Sequence, residues 1–279
     1  IIATNYYSDK YNKFAIEPRV NINFNIGKKH SINLSYMDIN QTSHLLFTAG
    51  SIMNNEVWIP ASTEIEPSNS KQISLGWRGE FYNGMFDAEV NVYSKKLSQL
   101  VAYKDGYTNL FGDNDWKSKV ATDGIGNSKG IELMVRKKSG KATGFLSYTF
   151  SHSVRQFNEI YNGKEYVYDY NIPHSFSISA SYKLNDKWLF NALWICKSGL
   201  PYTPVLAVHQ SPVININGEV EYENVFVYGE RNSKRMEPYH RLDLSAVYSK
   251  YSKKGRKVEW TFSLYNAYCK QNPYYYFYS

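Results

Sequence analysis

Histidines next to serine or acidic residues are the part of this sequence with the most obvious catalytic potential. His152 lies between two serines, and His240 is followed closely by Arg241 and Asp243. A serine–histidine–aspartate site needs a nucleophile on a strained turn and partners that converge on it, and no segment shows such a nucleophile. We therefore predict no catalytic residues and expect that the chain is not an enzyme.

Metal and disulfide chemistry are equally poorly supported by the residue spacing. Cys196 and Cys269 match no metal-binding motif and are too few for a disulfide framework. The histidines show no paired spacing that would hold a structural metal ion. We expect two unpaired cysteines, no metal site and no cofactor.

Charged residues placed between apolar ones form a second candidate group. Residues two apart on a strand share a face, so these charges are expected to lie together on a polar face. There they could contact a domain seated inside a barrel, line a path through it, or form cross-strand ion pairs that stabilise the wall. The candidates are Arg19, Arg78, Glu80, Glu132, Arg136, Arg241, Asp243 and Glu259.

An acidic and aromatic segment, residues 157–170, forms a third candidate group. It combines Glu159, Glu165 and Asp169 with several tyrosines. Loops of this kind stack on sugar rings or recognise peptides, because binding residues concentrate on loops held by a rigid scaffold. A belt of tyrosines at a membrane interface is the open alternative. The candidate ligand contacts are Tyr161, Tyr166, Tyr168 and Tyr170.

The elements that would position these side chains are strands with strict apolar–polar alternation. In residues 257–265, for example, Val258 and Phe262 fall on one face while Glu259 and Ser263 fall on the other. The pattern predicts about ten antiparallel strands, each near the ~10 residues that a tilted strand needs to cross a bilayer. The segments are 19–26, 32–36, 73–81, 87–92, 131–135, 146–150, 176–182, 188–194, 241–248 and 257–265.

The predicted connections alternate between short and long. Short turns rich in Gly, Asn and Lys occupy residues 27–30, 82–84, 139–141, 185–187 and 252–256. Long connections occupy residues 49–70, 105–127, 157–170 and 203–237. Short turns at one end and long loops at the other are typical of an outer-membrane barrel, with turns in the periplasm and loops outside. The connections of a β-sandwich need not sort by length in this way.

Composition agrees with a barrel and argues against a nucleic-acid partner. Mean hydropathy is −0.50, and no stretch approaches the roughly 20 apolar residues of a membrane helix. The 26 Tyr and 14 Phe suit aromatic girdles at two membrane interfaces. The cations behind the net charge of +7 concentrate in four short segments, 27–30, 136–141, 183–187 and 250–257. Separate turns do not form a basic groove, so we expect contact with outer-membrane lipid rather than nucleic acid.

The width of the barrel follows from the polar face. About ten strands would enclose only a narrow interior that side chains fill, whereas a charged and hydrated face needs a wider barrel. We therefore expect residues 1–279 to form one partial barrel domain, a sector of a wider barrel. Its sheet should be open, with the strands near 19–26 and 257–265 at the two edges.

Several motifs resemble TonB-dependent outer-membrane receptors of the Bacteroidetes type. Their order over nearly the whole chain is more specific than any one of them. They are Trp-Ile-Pro-Ala at 58–61 leading into Ile-Glu-Pro-Ser-Asn-Ser at 65–70, Gly-Asn-Ser-Lys-Gly-Ile-Glu at 126–132, Ser-Gly-Leu-Pro-Tyr-Thr-Pro at 198–204, Arg-Met-Glu-Pro-Tyr-His-Arg-Leu-Asp at 235–243, and Tyr-Asn-Ala-Tyr at 265–268 before Asn-Pro-Tyr at 272–274.

The resemblance implies a 22-stranded barrel with a globular plug, integral to the outer membrane. It also implies active uptake of a small nutrient ligand, with energy from the inner-membrane TonB complex reached through a segment ahead of the plug. The plug, that segment and the family's final strand are not recognised here. A surface lipoprotein is a conceivable companion, and siderophore, glycan, peptide and vitamin all stay open as ligands. The alternatives are a passive porin or structural barrel without TonB coupling and, second, an outer-membrane barrel hydrolase.

Overall fold

The computed structural model describes residues 2–8, 11–47, 56–107, 116–252, 255–274 and 276, and they fold almost entirely into strands. Two single-turn 3-10 helices, Trp116–Lys119 and Tyr161–Gly163, are the exceptions in this part of the chain. The strands are β1 (Ile2–Ser8), β2 (Tyr11–Glu17), β3 (Arg19–Ile26), β4 (His30–Gln41), β5 (Ser43–Leu46), β6 (Val57–Pro60), β7 (Ser68–Phe81), β8 (Phe86–Tyr103), β9 (Val120–Lys137), β10 (Ala142–Gln156), β11 (Tyr166–Val167), β12 (His174–Lys183), β13 (Trp188–Lys197), β14 (Pro201–Tyr202), β15 (Val205–Ile214), β16 (Val220–Tyr228), β17 (Lys234–Arg235), β18 (Tyr239–Tyr251) and β19 (Lys257–Leu264). Among the described residues there is no helix with the length and apolar character to cross a bilayer.

One antiparallel sheet of eleven strands dominates the fold. Its order, β3-β4-β7-β8-β9-β10-β12-β13-β18-β19, follows the chain, and β11 adds a short pairing to β10. All ten predicted strands are therefore confirmed as neighbours in one sheet. In the described part of the chain, β3 pairs only with β4 and β19 only with β18, so the sheet is open at these two edges, as expected.

Short turns gather at one end of this sheet, the turn end, which comprises residues 27–29, 82–85, 138–141, 184–187, 252 and 255–256. Four predicted turns are confirmed there, and in the described part of the fifth the Gly255 N–H donates to the Ser252 carbonyl at 2.9 Å. The turn from β7 to β8 shows why its residues were recognisable, because Asn83 (φ 55) and Gly84 (φ 80) adopt the left-handed conformation that Asn and Gly tolerate best. Lys253 and Lys254, in the last predicted turn, lie outside the described residues.

The two faces of the sheet differ in chemistry, as alternation predicts. Apolar side chains run from strand to strand in register along Ile22, Leu34, Leu75, Val92, Ile131 and Phe150. These side chains are exposed rather than packed in a dry interior; Ile22, for example, is 58% exposed. On the other face polar groups bond across strands, with Ser35 Oγ 2.6 Å from Ser74 Oγ and Asn191 Nδ2 donating to Ser245 Oγ at 3.1 Å.

The long connections lie at the opposite end, the loop end, whose described residues are 42–47, 56–67, 104–107, 116–119, 157–173 and 198–238. All four predicted loops were partly wrong because they contain strands. Segment 203–237 holds the β15–β16 hairpin and β17, and segment 157–170 holds β11. Segment 49–70 holds β6 and the start of β7, and segment 105–127 holds the first residues of β9. Residues 48–55 and 108–115 of these segments lie outside the described residues.

Candidate functional site at the loop end

The loop end contains the packed core of this structure. The buried hydrophobic side chains of the described residues lie there or in the adjoining ends of β8, β9 and β10. One cluster joins the β5–β6 hairpin to the ends of β8 and β9 through Leu46, Ile59, Ile65, Tyr103 and Val120. A second cluster joins β9 to the segment after β10 through Ala121, Phe157, Ile160 and Tyr166. This core holds the loops as a rigid cap on the sheet.

Ion pairs connect three of the long connections within this cap. Arg231 Nη1 lies 2.8 Å from Asp105 Oδ1, which ties segment 198–238 to the connection after β8. The Tyr161 backbone N–H donates to Asp105 Oδ2 at 2.7 Å, and Lys104 Nζ lies 3.0 Å from a Glu159 carboxylate oxygen. Asp105 therefore bridges two neighbouring loops.

Two polar side chains, the buried Asn232 and the exposed Arg235, add a second set of bonds that sequence reasoning missed. Asn232 is buried, and its Nδ2 donates to the Val167 carbonyl at 2.8 Å and to Asp169 Oδ1 at 3.0 Å. Arg235 Nη1 donates to the Asn171 carbonyl at 2.8 Å. Arg235 belongs to the motif at 235–243 and could have been singled out there, whereas no sequence signal distinguishes Asn232.

The structure separates the four candidate tyrosines by burial. Tyr166 is only 5% exposed, so its ring packs in the core and offers no contact surface to a ligand in this structure. The Arg231 guanidinium lies over that ring, 4.5 Å from its centroid. Burial raises the pKa of Tyr166 to about 12, opposed by the charge of Arg231. Tyr161 packs edge-on against Tyr166 at 6.4 Å.

Tyr168 and Tyr170 form an aromatic surface with Phe47, which we call the aromatic platform; Tyr170 is exposed and the other two side chains are half-buried. The Tyr168 and Tyr170 rings meet edge to face at 5.7 Å, and Phe47 lies 4.8 Å from Tyr170. The Arg155 guanidinium supports Tyr168 from 4.2 Å, and partial burial raises the pKa of both tyrosines. Tyr170 is 48% exposed, so the platform presents a face to solvent.

The charged candidates on β7 and its neighbours form an ion-pair network on the polar face near the turn end. Arg78 lies 3.7 Å from Asp87 and 3.4 Å from Glu89 on β8. Lys138 lies 3.0 Å from Glu80 and 3.7 Å from Asp87. Asp87 is 1% exposed, so two cations compensate a buried carboxylate. Arg78 and Glu80 thus contribute to cross-strand pairing in the wall.

Arg241 and Asp243 lie together on β18, as their spacing predicts. Asp243 Oδ2 lies 2.8 Å from Arg241 Nη2, and its Oδ1 accepts from the Asn266 N–H at 3.0 Å. The guanidinium also stacks over the Tyr265 ring at 4.2 Å and donates to the hydroxyl of that tyrosine. This pair fixes the connection that follows β19 against the sheet.

The other charged candidates differ in whether another charge neutralises them. Arg19 lies 3.3 Å from Glu17, and Glu259 lies 2.7 Å from Lys257. Glu132 instead accepts from the neutral Asn91 amide at 3.1 Å. The nearest polar contact of Arg136 is the Met134 sulfur at 3.6 Å. Within the described ranges, Glu132 and Arg136 are thus charged residues of the polar face without an ion pair.

Two histidines bond to tyrosines, and His44 Nδ1 lies 3.1 Å from the Ser68 hydroxyl. His240 Nδ1 lies 2.8 Å from the Tyr268 hydroxyl, and His174 Nδ1 lies 2.9 Å from that of Tyr148. Asp243 bonds to Arg241 and not to His240. Among the described residues, no group of three or more His, Cys, Asp or Glu side chains could hold a metal ion. Both cysteines are free.

Comparison with known protein families identifies the family of this chain. The family model described as "TonB dependent receptor-like, beta-barrel" matches residues 3–267. The chain belongs to this TonB-dependent receptor family. This is a family of transport receptors rather than enzymes. The strands of the chain are accordingly those of an antiparallel barrel integral to the outer membrane. No curated protein is similar enough in sequence to match the chain.

Solved receptors share the fold at low sequence identity. The ferric-catecholate import receptor Fiu from E. coli is 13% identical with a TM-score of 0.60, over 94% of this chain and 32% of the receptor. FpvA of P. aeruginosa, solved with bound pyoverdines, is 16% identical with a TM-score of 0.57, over 96% of this chain and 31% of its own. The siderophore receptor PiuA from Acinetobacter baumannii is 15% identical with a TM-score of 0.58, over 94% and 33%. The chain thus spans about a third of the length of these receptors.

Proposed function

We propose that residues 1–279 form a sector of the barrel wall of an active transport receptor of the Bacteroidetes type. The receptor takes up a small nutrient ligand with energy from the inner-membrane TonB complex. The observation that carries this proposal is the sheet, with neighbour-to-neighbour antiparallel strands, an exposed apolar face, a hydrogen-bonded polar face and all long connections at one end. Those features suit a wall between lipid and an aqueous lumen.

The free edges of β3 and β19 support a barrel wider than this sheet. An unpaired backbone group in hydrocarbon costs several kcal/mol, so a membrane sheet has to close. We infer that both edges pair with further strands, which makes the described sheet about ten strands of a 22-stranded barrel. In that arrangement the domain over residues 1–279 is wall, and the plug and the TonB-contacting segment belong to other sequence.

The charged candidates on the polar face fall into two groups with different proposed roles. Arg78, Glu80, Arg241, Asp243, Arg19 and Glu259 are neutralised by partners in the wall and stabilise it. Glu132 and Arg136 have no such ion pair within the described ranges. We therefore assign these two residues to contact with a plug seated in the lumen. A charge buried in such a contact needs an opposite charge beside it, which the plug would supply.

The aromatic platform is our candidate for ligand contact at the cell surface. Its rings are presented by loops that a packed core holds rigid, and flat exposed aromatics stack on ring-containing ligands. We assign this role to Tyr170 with Tyr168 against it, whereas Tyr166 belongs to the core and Tyr161 packs on Tyr166. A surface lipoprotein over this end would be an additional partner.

Ligand binding and uptake by the full-length receptor test the proposal. Tyr170→Ala should weaken binding of the transported siderophore, glycan, peptide or vitamin by about 2- to 10-fold, the range of one aromatic contact. Tyr82→Ala is the matched control, because Tyr82 is also exposed (79%) but lies at the turn end. Uptake that continues in cells lacking the TonB complex would contradict active transport and favour a passive porin.

A further inference from the structure

Cations without ion pairs accumulate at the turn end. The acids near these turns already have partners, since Glu80 pairs with Lys138, Asp186 with Lys183 and Glu259 with Lys257. The remaining basic side chains of this end form no ion pair within the described part of the chain. They are Lys28, Lys29, Lys137, Lys141, Lys187, Lys250 and Arg256.

The loop end carries paired and unpaired cations together. Lys104 pairs with Glu159, Arg231 with Asp105 and Lys117 with Glu64, and Lys270 pairs with Glu237 beside this end. Lys164, Lys234 and Arg235 form no ion pair within the described part of the chain. The larger set of uncompensated cations, the seven named above, lies at the turn end.

An aromatic belt lies on the apolar face directly next to these cations. Trp188 and Tyr248 pack at 5.0 Å, and Trp260 stands opposite Tyr248 in register. Trp260 is 61% exposed and lies three positions from Lys257, which is roughly 10 Å along a strand. On β9 the Lys137 Nζ approaches the Phe86 ring at 6.0 Å. Aromatic rings beside cations mark the level where a bilayer changes from hydrocarbon to headgroups.

We propose that the turn end binds the phosphate groups of anionic phospholipids in the adjoining leaflet. The aromatic belt lies at the headgroup level, and the unpaired lysines reach the phosphates beyond it. Each lysine near an anionic membrane surface raises the association constant with that surface by about 5-fold, and salt screens this attraction. This inference rests on the membrane-spanning sheet of the proposed function and adds a chemical partner to it.

Lipid selectivity of the full-length protein in vesicles tests the proposal. Spin-labelled phosphatidylglycerol and phosphatidylcholine report the ratio of their association constants with the protein. The test variant combines Lys28→Gln, Lys141→Gln and Lys187→Gln, all at exposed positions of the turn end. The matched control combines Lys164→Gln, Lys197→Gln and Lys234→Gln, which remove the same charge from exposed positions of the loop end.

The native protein should prefer phosphatidylglycerol, and the preference should weaken as salt is added. The turn-end variant should move the ratio toward one, by up to about 5-fold per lysine, while the control keeps it. Lysine-to-arginine changes at the same three turn positions should retain the native ratio, which separates charge from misfolding. An unchanged ratio in the turn-end variant, or an equal loss in the control, would overturn the proposal. A native protein that inserts into neither vesicle would instead contradict the membrane-spanning sheet.

Discussion

Phe262, near the middle of β19, tests which face of the sheet meets hydrocarbon. Its side chain is 59% exposed on the apolar face and stands opposite Ala246 in register. The next residue, Ser263, points to the polar face and stands opposite Ser245. Phe262→Arg and Ser263→Arg therefore introduce the same charge at almost the same depth but on opposite faces.

The depth of Phe262 in the bilayer sets how strongly an arginine at this position destabilises the fold. It lies two positions beyond Trp260 of the aromatic belt, or roughly 7 Å along a strand that rises ~3.4 Å per residue. A strand tilted by about 40° brings it ~5 Å below the belt along the membrane normal, between the interface and the middle of an apolar band ~25 Å tall. Arginine at that depth destabilises by about 1–2 kcal/mol, between the small cost at the interface and the larger cost at the midplane. The folding equilibrium should therefore fall by about 5- to 30-fold.

Reversible unfolding in lipid vesicles, followed by urea titration, measures this difference. Phe262→Arg should lower the free energy of unfolding by the full amount, whereas Ser263→Arg should change it by no more than about 0.5 kcal/mol. Heat-dependent electrophoretic mobility checks that both variants insert. If Ser263→Arg costs as much as Phe262→Arg, or if Phe262→Arg is neutral, the assignment of the apolar face to lipid is refuted.

Two further predictions concern orientation and backbone packing. After both native cysteines are replaced by serine, a membrane-impermeant thiol reagent on intact cells should label Lys164→Cys at the loop end and leave Lys187→Cys at the turn end unlabelled; the reverse pattern would show the opposite orientation. Gly130→Ala should destabilise by about 1–3 kcal/mol in the same urea titration, because a Cβ there would lie 2.5 Å from the Phe150 carbonyl oxygen. Ser147→Ala on the same face of the sheet is the control, and an equal effect of both changes would remove the packing explanation.

The sheet was predictable from sequence because each face has one environment over its whole width. Apolar and polar residues therefore alternate with a period of two along each strand. A one-residue shift in strand register would turn every apolar side chain toward the polar side of the sheet. The turns were predictable for a local reason, since Asn83 and Gly84 favour the positive φ that a tight turn requires. Neither inference needed knowledge of distant contacts.

The lengths of β8 and β9 were underestimated for a physical reason. Both strands run for 18 residues, well beyond the ~10 that cross a bilayer. Past the membrane their faces no longer alternate between lipid and water, and register shifts near Leu100 interrupt the pairing. Gln99 adopts a positive φ of 51 at this point. Apolar–polar alternation therefore predicts these strands only where they lie between lipid and water.

The loop-end site was only partly predictable, because its residues act through contacts distant in sequence. Tyr166 and Tyr170 were equivalent candidates in one segment, and only the core that buries Tyr166 distinguishes them. That core in turn depends on Gly124 in β9, where a Cβ would lie 2.2 Å from the Phe157 ring. The glycine admits Phe157 to the core, and the core holds the loop rigid.

Stability and function consequently divide along the strand axis. The wall has an apolar face toward lipid and a polar face toward water, so it gains little from a packed interior and depends on backbone pairing and cross-strand bonds. The extended ends of β8 and β9 rise above it and bury apolar side chains against the loops. A rigid loop end follows from those long strands. The aromatic platform that we propose for ligand contact is thereby held in place by the loop core, which would lower the conformational entropy lost on binding.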